Sequence, residues 1–115
     1  MSEGALDRSF LAELLDGDRD FGQELAAAFD EASNQWLQQG RLACGSGDAQ
    51  QAARAFHTLK GSAGSVGLSR VRKLAMRLEG AAKEGDLQLC RSEFGELERQ
   101  VKEGRDLLAE FLAQL

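Results

Sequence analysis

The stretch LQLCRSEFGELERQVKEGRDLLAEFLAQL, Leu87 to Leu115, decides the fold. Leu87, Cys90, Phe94, Leu97, Val101, Gly104, Leu108, Phe111 and Leu115 follow one another at alternating spacings of three and four. Such spacing winds one apolar seam along a helix, of the kind that packs against other helices. A lone amphipathic helix has no core of its own, so the seam requires partners elsewhere in the chain. Gly104 lies on the seam. It either admits a neighbour closely or weakens the helix, and the spacing leaves both open.

The partners lie upstream. Asp7 is placed to cap a short first helix, which Asp16-Gly17-Asp18 ends. Asp18 or Asp20 can cap a long second helix with Phe21, Leu25, Ala28, Phe29, Ala32 and Trp36 on one stripe. Gly45-Ser46-Gly47 reads as a loop. Asp48 then caps a third helix, whose stripe is Ala49, Ala52, Phe56, Leu59 and Ala63. Gly67 suits a left-handed helix stop, with Leu68 as the apolar residue after it. Ser69 is expected to cap a fourth helix striped by Val71, Leu74, Ala75, Leu78 and Ala82, and Glu84-Gly85-Asp86 breaks it. The spacing predicts helices over 7–15, 18–44, 48–65, 69–84 and 86–114. With short links between them, the expected fold is all-α: an up-down-up-down antiparallel four-helix bundle with a short additional N-terminal helix, one domain over 1–115.

Composition agrees. The 115 residues include no proline and no tyrosine, and 43% are hydrophobic, which favours packed helices over strands or disorder. The net charge of −5 argues against general nucleic-acid binding, which rests on positive charge. Arg70, Arg72, Lys73 and Arg77 cluster locally and read as a solvated helix face. Cys44 and Cys90 lack metal-ligand spacing and are expected to be reduced and partly buried. The N-terminus has no signal-peptide pattern, and no stretch approaches the ~20 apolar residues of a membrane span. A cytoplasmic protein is therefore expected. The methionine start and the missing linker lean toward a free-standing protein or a designed one, with an excised domain of a larger kinase left open.

The chemistry concentrates in AFHTLKGSAGSVGL, Ala55 to Leu68, which holds the only histidine, His57. At ~100° per residue, His57 falls roughly 120° from the centre of the core stripe, so it is at least partly exposed. Lys60 and Gly61 are its neighbours one turn on, Gly64 lies two turns on, and Ala53 and Arg54 lie one turn back. Gly61 and Gly64 each cost ~1 kcal/mol relative to alanine inside a helix. A histidine alone on a helix is ordinarily a surface residue. The joint pattern of His57, Leu59, Lys60, Gly61, Ser62 and Gly67 outweighs that reading. Missing side chains leave room for a macromolecule to reach the ring, and Lys60 can neutralise a phosphoryl group held there. A hydrolase triad, a phosphate-binding loop and a metal centre each lack required parts.

HTLKGSAGSVG resembles the pattern His-x-(apolar)-Lys-Gly-(Ser/Ala)-x-x-x-x-Gly of the histidine-containing phosphotransfer (HPt) family of two-component phosphorelays. GSAGSVGL is most similar to HPt domains of hybrid sensor kinases, and DGDRDFGQELAAAFDEA and RLEGAAKEGDL extend the likeness over nearly the whole chain. The resemblance implies a helical phosphocarrier rather than a free-standing catalyst. His57 would accept a phosphoryl group from a receiver-domain aspartate and pass it to another, with Nε2 as the phosphorylated atom. Lys60 would neutralise the phosphoryl charge, and Gly61 would give clearance to the partner. Arg54 and Gly64 would serve docking. Phe56 stands where the family often has alanine and reads as a packing variation. The implied partners are response-regulator receivers, a hybrid sensor histidine kinase, or both. No cofactor or metal is expected on this chain; Mg²⁺ belongs to the receiver. A monomer suffices. No acid lies in the predicted helical neighbourhood of His57, which argues against the chemotaxis-kinase subtype, where a glutamate partners the histidine; an approach by an acid from another helix stays open. The alternative is a docking module that binds a receiver or kinase through the same face without carrying phosphate.

Overall fold

A computed structural model describes residues 4–115. Its elements are α1 (Arg8–Leu15), α2 (Arg19–Ser46), α3 (Ala49–Ser65), α4 (Ser69–Lys83) and α5 (Leu87–Ala113), and all regular structure among the described residues is helical. Aspartate starts four of them. Asp7, Asp18, Asp48 and Asp86 each accept a hydrogen bond from the backbone N–H three residues on, at 3.0–3.1 Å. Each thereby satisfies one of the helix's unpaired donors.

α2 packs against α3 and α5, and α4 packs against the same two, so the long helices close a ring around one core. Their directions follow from the pairings. Gly22 near the start of α2 faces Leu112 near the end of α5, while the carbonyl of Cys44 near the end of α2 accepts from Arg91 near the start of α5. α3 and α4 likewise run opposite ways, because Gly64 meets Arg72 and His57 meets Glu79. Phe56 and Phe94 meet inside with ring centroids 6.3 Å apart. Phe56 is therefore a core residue, 1% exposed.

Several sequence expectations need correction. Gly45 and Ser46 are not loop; α2 runs through them, and only Gly47, at φ 81°, leaves the helix. Ser69 is not a cap. Leu68 holds that position without a side-chain bond, because its side chain is needed in the core, where it is 0% exposed. On α2, Phe21 and Ala28 face solvent, whereas Gly22, Ser33 and Gly40 are buried. Large apolar side chains are a poor guide to this helix, because neighbours approach it most closely where side chains are small. A Cβ on Gly40 would lie 3.3 Å from Phe94. On α5 the buried seam ends at Leu112, with Phe111 only partly covered. A straight helix of 3.6-residue period drifts off a 3.5-residue repeat, so the buried stripe reaches one residue further after several turns. Both cysteines are free and fully buried rather than partly so.

Two glycines permit close packing or a turn. Gly104 has Leu68 atoms 2.9–3.4 Å from where a Cβ would stand, which settles its role on the seam as close approach. Gly67 has φ 74°, ending α3, and its carbonyl accepts from the N–H of Asp7 at 2.8 Å. That bond ties the entry to α1 to the turn at the end of the functional helix.

Candidate functional site

Asp48 caps the start of α3, and the turn at Gly67 closes its far end. Between them the buried stripe Ala52, Ala55, Phe56, Leu59 and Ala63 fixes the rotation of the helix. With that face inward, His57 points out, its side chain 65% exposed. The ring is nevertheless not free to turn. Nδ1 lies 2.9 Å from Oε2 of Glu79 on α4.

Glu79 is the centre of the site. Its side chain is only 6% exposed, and three basic groups converge on it. Lys60 Nζ sits 2.9 Å from Oε1, while Lys83 Nζ sits 3.1 Å from Oε2, the oxygen that also faces His57. Burial by itself pushes this carboxyl up, but the hydrogen bonds from Lys60, Lys83 and His57 outweigh it and hold the pKa at about 2. The group is thus an anion throughout the neutral range. An ionised carboxylate only accepts, so the proton between it and the ring belongs to Nδ1. In the neutral ring the lone pair is then on Nε2, the nitrogen that Glu79 does not engage.

This acid was missed from sequence. No residue of α3 supplies it; it crosses from α4, and a glutamate does partner the histidine here. A signal was present. Glu79 stands four residues after Ala75 and three before Ala82, inside the buried stripe of α4, where a charged residue needs partners.

The other expected positions divide. Lys60 is half-buried at 24% exposure and paired with Glu79, so its ammonium stands at the site. Gly61 is exposed, and a Cβ there would meet nothing within 4 Å. Gly64 differs, because the stem of Arg72 passes 3.3 Å from where its Cβ would be. The glycine lets that chain lie across α3. Arg54 is exposed one turn before His57. Of the basic cluster on α4, Arg77 is taken up by a bidentate pairing with Glu93 at 3.0 and 2.7 Å. Among the described residues no group of three or more His, Cys, Asp or Glu is arranged to hold a metal ion, and no helix is long and apolar enough to cross a membrane.

The arrangement is an exposed imidazole oriented through Nδ1, flanked by two ammonium groups and by bare helix surface. It can take up an electrophile of anionic character delivered by a large partner. Among the described residues it contains no second nucleophile in contact with the ring and no water-activating acid or base beyond Glu79, whose oxygens are occupied by cations.

Comparison with known proteins gives the same direction. The family model described as Hpt domain matches residues 9–110. Among solved structures, the chain is similar to the crystal structure of histidine-containing phosphotransfer protein B (HptB) from Pseudomonas aeruginosa PAO1. The identity is 26%, the TM-score 0.89, and 99% of each chain is covered. A comparison with curated proteins finds no match.

Proposed function

This chain belongs to the Hpt domain family, with a role in histidine phosphotransfer within phosphorelays, and from that premise we propose that His57 is its phosphorylated residue. His57 accepts the group from an aspartyl phosphate of one receiver domain and passes it to an aspartate of another. The observation that carries this reading is the exposed ring held through Nδ1 on Glu79, which does not engage Nε2.

The step is an in-line displacement. The Nε2 lone pair attacks phosphorus, and the bond from phosphorus to the receiver carboxylate breaks, its electron pair leaving with that oxygen. The ring keeps its Nδ1 proton and becomes cationic. Glu79 faces that developing charge at 2.9 Å, so it stabilises the loaded ring and the transition state leading to it. Fixing the tautomer beforehand removes the orientational cost from the reaction step. Lys60 opposes the charge of the arriving phosphoryl group. Gly61 leaves the space through which the receiver's site reaches the ring, and Arg54 borders that approach. Gly64 contributes by seating Arg72 beside the same face. Mg²⁺ is supplied by the receiver, and this chain adds nucleophile and electrostatics only. One chain carries the whole site, so a monomer suffices, and receiver or hybrid-kinase partners put the reaction in the cytoplasm.

The test mixes the protein with a panel of phosphorylated receiver domains and Mg²⁺ and follows label by mass spectrometry at neutral or basic pH, with His57→Gln alongside. Acid-labile, base-stable phosphate on the wild type and none on the variant is the expected result. Binding without transfer across the panel would overturn the reading and leave a docking module.

A further inference from the structure

We infer that Lys83 is a second phosphoryl-binding cation of this site, parked on Glu79 while His57 is unloaded. The inference rests on the phosphotransfer reading and goes beyond it, since no sequence pattern singled out Lys83.

Three observations carry it. The first is position. Lys83 Nζ and His57 Nδ1 share one oxygen, Oε2 of Glu79, at 3.1 and 2.9 Å. The ammonium is therefore already beside the ring. The second is freedom. The side chain of Lys83 is 66% exposed, against 24% for Lys60, so its flexible stem can swing while Lys60 is held. Lys83 also borders a shallow groove between the first turns of α3 and the end of α4, lined by Ala49, Gln50, Ala53 and Ala82, where three alanines present little bulk to a moving stem.

The third is charge. Two ammonium groups meet one carboxylate, so, counted with the ring in the neutral form that attacks phosphorus, the resting site carries one excess positive charge. Loading adds a dianionic phosphoryl group and leaves the ring cationic with its Nδ1 proton. The two changes sum to one negative charge, and the loaded site is neutral. Without Lys83 the resting site would be neutral and the loaded site an anion beside a buried carboxylate. Holding the tautomer requires only the contact between His57 and Glu79. It does not require a second lysine on the same oxygen, and phosphoryl binding gives that lysine a use.

The test is the position of the phosphoryl equilibrium between a phosphorylated receiver and this chain, read as the ratio of phosphohistidine to phosphoaspartate for wild type, Lys83→Gln and Lys83→Arg. Lys83→Gln is expected to lower the ratio about threefold, the effect of one largely exposed ion pair. Lys83→Arg is expected to restore it, and the deficit should shrink as salt rises. Lys83 is exposed, so urea melts of the variants should stay close to wild type, which separates phosphoryl binding from a merely structural pairing. An unchanged ratio in Lys83→Gln would overturn the inference. So would a loss that Lys83→Arg fails to repair. Failure of the phosphotransfer reading itself looks different: wild type would take no label at all.

Discussion

Gly61 and Gly104 both lie inside helices, and the same substitution to alanine is expected to move stability in opposite directions. Alanine in place of glycine gains about 1 kcal/mol of helix propensity at either position. At Gly61 nothing stands within 4 Å of the new Cβ, so the gain is kept. At Gly104 the new Cβ would lie 2.9 Å from Leu68 Cδ1, 3.0 Å from Cδ2 and 3.4 Å from Cγ. Leu68 is 0% exposed and has no solvent side to retreat to. Overpacking of this kind costs about 1–3 kcal/mol, which leaves Gly104→Ala destabilised by about 1 kcal/mol net. The two variants should therefore differ by about 2 kcal/mol in urea unfolding followed by circular dichroism, with unchanged m-values. Gly61→Gln extends the comparison. Glutamine is a good helix former without charge, so the fold should again gain stability, while its side chain fills the space over the turn beside His57. Phosphotransfer from a receiver should fall at least tenfold in that variant, on the order of 1.4 kcal/mol of barrier. Equal stabilisation by Gly61→Ala and Gly104→Ala would refute the close packing of Leu68. A Gly61→Gln protein that transfers at the wild-type rate would refute the clearance argument.

Three further outcomes are expected. Glu79 is held at about 2 against an ordinary value of 4.5, so the stability tied to its ionisation is complete above about pH 4.5 and drains away as pH falls toward 2, at most about 3 kcal/mol. The stability difference between wild type and Glu79→Gln, measured by urea melts, should accordingly shrink between pH 6 and pH 3, and a flat difference would contradict the network. Asp48→Ala removes the hydrogen bond to the N–H of Gln51 and should cost about 1 kcal/mol, whereas Ser69→Ala, which loses no cap bond, should stay within about 0.5 kcal/mol of wild type in the same melts. Burial pushes the Cys44 thiol up and takes Cys90 to about 11, so a disulfide reagent at neutral pH should label neither in the native protein and both in urea; rapid native labelling would contradict that burial.

Much of the fold is legible in the residues alone. The helix starts at Asp7, Asp18 and Asp48, the stop at Gly67 and the inward face of α3 are local matters, readable because capping and a 3.6-residue period act within a few residues. The same reasoning puts His57 at the surface and Gly61 in the open. It fails on α2, where Phe21 is exposed and Gly22 buried, because there the closeness of another helix decides which residue is inside. Gly45 and Ser46 escape it for a related reason: a helix held along its length by α3 and α5 tolerates a glycine and a serine that local preference would turn into a loop.

By itself the sequence determined that the chain is a set of amphipathic helices and that one of them exposes a histidine beside a lysine and bare backbone. Only the tertiary structure decided what holds that histidine. Glu79 stands 22 residues further along the chain, and no helical period relates it to the ring. The turn at Gly67 and the packing of α4 antiparallel to α3 bring the two together, and they do so for the carboxylate and the lysines at once. A buried charge has to gather its partners wherever the fold presents them, which is why the node that orients the ring becomes visible only when the helices are side by side.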